Sequence, residues 1–233
     1  MDIEEVRRNL VIANRVLAAE GILDAGGHIS ARHPDDSRRF ILSRARAPEI
    51  IELGDLMEFG MDGEPLEPHS GKSPYLERYI HAAIYDLRPE VMSICHNHAR
   101  SILPFSISKA VRLRPVIHTA ALLGKETPVW DIADEFGSAT NMLVVNMEQG
   151  RSLAKALGGS ICVLMRGHGS VVTGSSVAAA VAGSLNMDKN ARVQFQAMQM
   201  GDYTPLSAGE IARPNLLTDR GWEAIEKRFR DRV

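Results

Sequence analysis

Two histidines stand two residues apart in "ICHNHAR", Ile94 to Arg100, directly after an apolar run. Side chains alternate across a strand, so His96 and His98 project the same way as Met92 and Ile94, and Cys95 and Asn97 face the opposite side. Two neutral imidazoles on one face can share a cation. Divalent ions in catalytic sites generally take three protein ligands and keep one position open, so a further donor is expected on a neighbouring element. "RGHGS" supplies it. His168 lies between Gly167 and Gly169 at the end of the apolar run "ICVLM", and two glycines let the backbone come close to a ligand or to another segment. Glu77 is the fourth member, since it borders a buried helical stripe and can point into the sheet as a metal ligand or proton carrier. Three imidazoles suit Zn2+, whereas an added carboxylate and an oxygen-rich substrate suit Mn2+; one such ion per chain is expected.

The elements that hold these groups are readable from spacing. Ile3, Val6, Leu10, Ala13 and Leu17 follow helical periodicity up to a stop at Gly21. "HISAR" and "RFILS", split by "HPDDS", read as a hairpin that starts after Gly26-Gly27. Ser73 and Pro74 have the chemistry of an N-cap and first helical residue, with Leu76, Ile80, Ile84 and Leu87 as the core stripe and Pro89 as the stop. "VMSICHNH" is a buried strand. "LRPVIHTAALLG" reads as another strand or an extended loop, and "NMEQGRSLAKALGG" as a helix closed by glycine. "SICVLMRGHGSVVTG" resumes the sheet, and the longest helix runs from Ser176 to Met200. A tail, residues 201–233, carries Pro205, Pro214 and a short amphipathic helix with Trp222, Ile225 and Phe229. The fold class is α/β, in a single domain over residues 1–233.

Composition narrows the function. The 233 residues are 45% hydrophobic and 24% charged, with a formal net charge of −2. That balance offers no basic block for nucleic acid or an anionic membrane surface, but leaves room for a local pocket that binds a small anionic molecule. No segment reaches the roughly 18 apolar residues needed to span a bilayer, and the amphipathic start has no leader-like core, so a cytoplasmic protein is expected. Cys95 and Cys162 read as reduced strand residues. His33 and His69 fall in polar turns and are expected to face solvent, while His81, four residues after Glu77, is expected to support the site or pack within its helix.

Taken together, Glu77 at a helix opening, H-x-H at 96 and 98, and G-H-G around 168 resemble the class II aldolase/adducin family, over about Ile3 to Met200. The resemblance implies an α/β/α sandwich around a mainly antiparallel sheet, a divalent metal on His96, His98 and His168 with Glu77 beside it, and a homotetramer with sites at subunit interfaces. The departures are informative. Sugar-phosphate members cradle phosphate with a G-N-x-S turn, a T-x-[ST]-G type loop and paired serines before the glutamate. This sequence has Gly27-His28-Ile29-Ser30, "LSRARAP" and Tyr75-Leu76 at those places, and the dianion's cradle of hydroxyls and amides is lost. Arg44 and Arg46 are expected to fork onto a carboxylate instead, with His28 and Ser30 as hydrogen-bonding groups and Tyr75 as a wall. The family's aldolases take a proton from a tyrosine after the H-x-H strand; "RPVIHTAALLG" has none, and His118 is the only obvious proton carrier there, so Glu77 or His118 is expected to deliver the proton.

These changes resemble the branch that decarboxylates hydroxylated aromatic dicarboxylates. Loss of CO2 and retro-aldol cleavage are chemical cousins, because both send the electrons of a breaking C–C bond toward a chelated oxygen. The expected activity is therefore a metal-dependent decarboxylation of such a dicarboxylate. The alternative is an aldolase or dehydratase of a small hydroxy-carbonyl or sugar-phosphate substrate. A scaffold role of the adducin kind fits less well, since all four metal-site residues are present.

Overall fold

The computed structural model describes residues 2–67, 71–213 and 218–229; His69 and Pro214 lie outside them. Helix α1, Ile3–Ala19, starts where the Asp2 carboxylate accepts the Glu5 amide at 2.7 Å, and it buries Val6, Leu10, Ala13 and Leu17. The chain leaves it through Gly21 at φ +71°, a left-handed turn that costs glycine little.

The following elements are β1 (His28–Arg32), β2 (Arg39–Ser43), β3 (Leu56–Gly60), α2 (Arg78–Leu87), β4 (Ser93–Asn97) and α3 (Leu103–Ile107). After them come β5 (Val129–Trp130), α4 (Ile132–Phe136), α5 (Met147–Leu157), β6 (Cys162–Met165), β7 (Gly169–Gly174), α6 (Val177–Met200), α7 (Ala208–Ile211) and α8 (Thr218–Phe229).

The seven strands form one sheet in the order β3-β2-β1-β4-β7-β6-β5, antiparallel except for the β5–β6 pair. Helices cover both faces. On one side α2 and α5 pack with Phe40, Ile94 and Val171; on the other α1, α6 and α8 pack with Ile29, Cys95 and Val172. The alternation of Ile94 and Cys95 along β4 is the strand period made visible. Contact between α2 and α5 is close enough that a Cβ on Gly150 would stand 2.5 Å from the Tyr79 carbonyl oxygen. Among the described residues no helix is long and apolar enough to cross a membrane.

Two expectations are corrected and a third is narrowed to one of its alternatives. Helix α2 begins at Arg78, not at Ser73 and Pro74. Those residues pair instead with the chain leaving β2, through the Arg44–Pro74 bridge and the Ala45 amide on the Ser73 carbonyl at 2.8 Å. The core stripe is consequently narrower, with Ile80 and Ile84 buried but Leu76 61% and Leu87 50% exposed. Of the two readings of "LRPVIHTAALLG", the extended loop holds: it joins no strand of the sheet and ends in a 3-10 helix, His118–Leu123. Its backbone is satisfied by α6 side chains, since Asn190 and Gln194 accept the amides of Val116 and Arg114 at 2.8 and 2.9 Å. Buried amide side chains thus replace a neighbouring strand. His33 is mostly buried and lies 3.9 Å from Glu58, so it does not face solvent freely.

Candidate metal centre

His96 sits in β4 with its Cα opposite those of His28 on β1 and Val171 on β7. His98 follows one residue past the end of that strand. His168 occupies the tight turn between β6 and β7, where Gly167 takes φ +63°. A Cβ on Gly169 would stand 2.2 Å from the Asn97 carbonyl oxygen and 2.8 Å from the His98 ring, so only glycine lets this turn lie against the end of β4. Glu77, 7% exposed, immediately precedes α2.

These four side chains meet. Their ligand atoms all lie within 4.8 Å of one another. His96 Nε2 is 3.0 Å from His98 Nε2, and Glu77 Oε2 is 3.4 Å from His96 Nε2 and 3.5 Å from His168 Nε2. A tetrahedral shell about 2.0–2.1 Å from an ion has edges of about 3.3–3.4 Å, which these spacings approach.

The opposite side of each ring explains the convergence. His96 Nδ1 faces the Ser170 carbonyl at 3.2 Å, His98 Nδ1 the Asp24 carboxylate at 2.8 Å, and His168 Nδ1 the Met142 carbonyl at 2.9 Å. Each of those oxygens can only accept, so each Nδ1 carries the proton and each Nε2 turns a lone pair inward. Lone pairs of His96 and His98 facing each other at 3.0 Å need a cation between them, and the donor set fits a divalent ion.

The turn Thr140–Val144 supports two of these side chains at once. The Val144 amide donates to Glu77 Oε1 at 3.0 Å while the Met142 carbonyl holds His168. Met142 has φ +66°, the left-handed region in which a residue with a side chain is strained.

Electrostatics follow from this packing. Burial raises the Glu77 carboxyl, but the neighbouring His96 and His168 outweigh it and hold the group well below the usual carboxylate range. Burial lowers His168, but its bond to Glu77 prevails and the ring titrates above its ordinary value. His98 is pushed down, first by burial and then by His96. At neutral pH Glu77 is therefore an anion facing three ring nitrogens, which attracts a cation.

A model of the class II aldolase and adducin N-terminal domain matches residues 8–195. The chain belongs to this family. It is 34% identical over 205 residues to decarboxylase tropJ of Talaromyces stipitatus, covering 83% of this chain and 76% of that one. It is 30% identical over 220 residues to a 3,4-dihydroxyphthalate decarboxylase of a Terrabacter species, covering 88% and 87%. Among solved structures, L-fuculose 1-phosphate aldolase from Glaciozyma antarctica superposes with a TM-score of 0.78 at 21% identity, over 97% of this chain and 90% of that chain; it shares the class II aldolase fold.

Within this class II aldolase domain, the remaining predicted residues separate into three groups. His28 and Ser30 are fully buried in a chain of hydrogen bonds behind the metal cluster. His28 Nδ1 pairs with His81 Nε2 at 2.7 Å, His81 Nδ1 with the Ser30 hydroxyl at 2.6 Å, and that hydroxyl with the Tyr85 hydroxyl at 2.8 Å. The His28 ring packs 5.1 Å from that of His96 and 4.4 Å from that of Tyr75. His81 thus serves the site through His28, not through Glu77 one turn back.

Arg44 and Arg46 are already paired: both guanidiniums donate to Asp55, at 2.6 Å each, and Asp55 is buried. Tyr75 donates its hydroxyl to the Arg46 carbonyl at 2.6 Å and presents only its ring to His28. His118 is exposed where its 3-10 helix begins and does not line the cavity above the metal cluster.

That cavity, about 370 Å³, is bounded by His98 and His168 together with Asp24, Arg100, Asn141 and Leu143. None of the last four was predicted. Asp24 had a local signal, because it also accepts the amides of Gly26 and Gly27 at 2.9 and 3.1 Å, the side-chain turn that Asp before glycines favours. Substitution Asp24→Ala frees the His98 ring, and metal affinity measured by competition with a chelator is expected to fall about 10- to 100-fold with the fold retained.

The buried rings set a pH response. Burial holds His81 down to about 3 and His28 well below its usual 6.5. As pH falls below about 6.5 the unfolded chain takes up protons on these rings and the folded chain does not, so their contribution to stability is present above that pH and lost below it. Each ring costs about 1.4 kcal/mol per pH unit in that window. Urea midpoints of metal-free protein should drop steeply between pH 6.5 and 4, and His81→Gln should flatten the slope by one proton.

Proposed function

We propose that this protein is a divalent-metal-dependent decarboxylase of a hydroxylated aromatic carboxylic acid, a carbon–carbon lyase. The observation that carries this reading is the convergence of three Nε2 atoms and Glu77 Oε2 beside a cavity that two of those histidines, His98 and His168, line and that is wide enough for one aromatic ring. Relatives named as decarboxylases support the choice of reaction, and the printed name 3,4-dihydroxyphthalate supports a dihydroxylated benzene dicarboxylate as the substrate class.

His96, His98 and His168 would hold the ion, Zn2+ or Mn2+, with Glu77 as a fourth ligand or a partner beside it. When bound, the ion supplies a Lewis acid that withdraws electron density from a chelating hydroxyl and carboxylate. Glu77, ionised in the resting site, accepts the ring hydroxyl proton as the substrate binds. Glu77 returns that proton to the ring carbon bearing the leaving carboxylate, which makes the oxygen a carbonyl and regenerates the Glu77 carboxylate. The C–C bond to the carboxylate then breaks, CO2 departs, and the electron pair restores the aromatic ring and leaves its charge on that oxygen as a phenolate, so that hydrogen replaces CO2. The Val144 amide on Oε1 keeps the other oxygen, Oε2, aimed at the reacting atoms. Within one chain this assigns the proton to Glu77 in preference to His118.

The test is a panel of hydroxybenzoates and hydroxyphthalates offered to protein loaded with Mn2+ or Zn2+, with CO2 release as readout. Release from at least one ortho-hydroxylated acid, abolished by chelation and restored by metal, is expected. No release across the panel, with aldol cleavage or dehydration of a sugar phosphate instead, would overturn the reading.

A further inference from the structure

We infer that Arg100 is the anchor for a second anionic group of the substrate, the one that does not leave. This deepens the decarboxylase reading and rests on it. Four observations carry it. Arg100 lies two residues beyond His98 and lines the same cavity as His98 and His168. It is exposed and makes no hydrogen bond or ion pair among the described residues. The two arginines closer in sequence to the family's anion loop are both occupied by Asp55. Next to Arg100, Asn141 accepts the Leu143 amide through Oδ1 at 3.1 Å, which leaves its amide N–H groups free to donate on the same wall.

Charge points the same way. A divalent ion offsets the two carboxylates of the site, Glu77 and Asp24, so Arg100 is the cation left to meet further negative charge. Its guanidinium fork matches a carboxylate in two parallel hydrogen bonds. Leu103, Met142 and Leu143 give the same cavity an apolar lining suited to the face of a ring. A substrate bridging both points carries a chelating hydroxyl and carboxylate at one end and an anionic substituent at the other. Arg100 thereby selects dicarboxylates over monocarboxylates.

Phthalate and benzoate, which lack the ring hydroxyl, serve as probes that do not depend on turnover. Binding to Mn2+-loaded protein is measured by calorimetry for the parent chain, Arg100→Gln and Arg100→Lys. The glutamine variant should weaken phthalate about 10- to 100-fold and benzoate by no more than about 2-fold, with Mn2+ affinity unchanged. The lysine variant, which keeps the charge and loses the fork, should recover part of the affinity. Equal phthalate affinity in the parent and the glutamine variant, an equal loss for both probes, or no phthalate binding by the parent chain at millimolar concentration overturns the assignment. Failure of the decarboxylase reading is separate: it shows as absence of CO2 release from hydroxylated acids even where phthalate binding still depends on Arg100.

Discussion

His168→Ala protein should emerge from mild chelation without metal, folded, and with kcat/KM reduced about 10³-fold or more, the several kcal/mol that a Lewis acid contributes to such a step. The expectation rests on where His168 stands. Its ring hangs from a turn whose backbone is fixed by glycine geometry at Gly167 and Gly169, and it adds nothing to either hydrophobic core. Circular dichroism of the apo form should therefore match that of the parent apo protein, with the urea midpoint lowered modestly by loss of the contacts to Glu77 and the Met142 carbonyl, and elemental analysis should find less than one tenth of a metal per chain, the level expected for about 100-fold weaker binding. Full turnover by a demetallated His168→Ala chain would remove the basis for a metal mechanism.

Glu77→Gln separates binding from chemistry. Glutamine keeps the size of the side chain and can still accept the Val144 amide, but it can neither take up nor return a proton and no longer opposes the ion's charge. On general acid–base magnitudes, kcat should fall about 10²- to 10⁴-fold while substrate KM changes far less. The pH profile is diagnostic. Glu77 is held far down the acid range by the histidines, so the parent should keep its ionised base throughout the range in which the fold survives; an acidic limb, if seen, must then follow loss of metal from the histidines. Retention of stoichiometric metal with loss of CO2 release is the expected combination. Loss of metal and activity in equal proportion would make Glu77 a ligand with no part in proton transfer.

Much of this site was legible in the sequence because its signals are local. H-x-H in an apolar run and G-H-G at a strand end both follow from strand alternation and glycine's small size, and they were brought together by the order of strands. Helix α1 was open to reading from its periodicity and α6 from its long, alanine-rich run; Asp2 caps the first and Ser176 the second.

What escaped depends on partners distant along the chain. Ser73-Pro74 has every local feature of a helix start, yet pairing with Arg44 and Ala45 takes precedence, and a helix that begins four residues later leaves Leu76 in solvent. Arg44 and Arg46 look free until Asp55, eleven and nine residues on, claims both. His28 and Ser30 are polar, and only the position of α2 shows that they serve His81 and Tyr85 inside the sandwich. An arginine after a strand is ordinarily a solubilising charge, and only the place of Arg100 beside His98 and His168 distinguishes it.

The strained turn at Met142 has a reach beyond its five residues. One short stretch of backbone grips the Glu77 carboxylate through Val144, the His168 imidazole through Met142, and lines the cavity through Asn141 and Leu143. A change in this turn that reshapes the cavity therefore also moves Glu77 and His168, so the two properties cannot be altered independently through it.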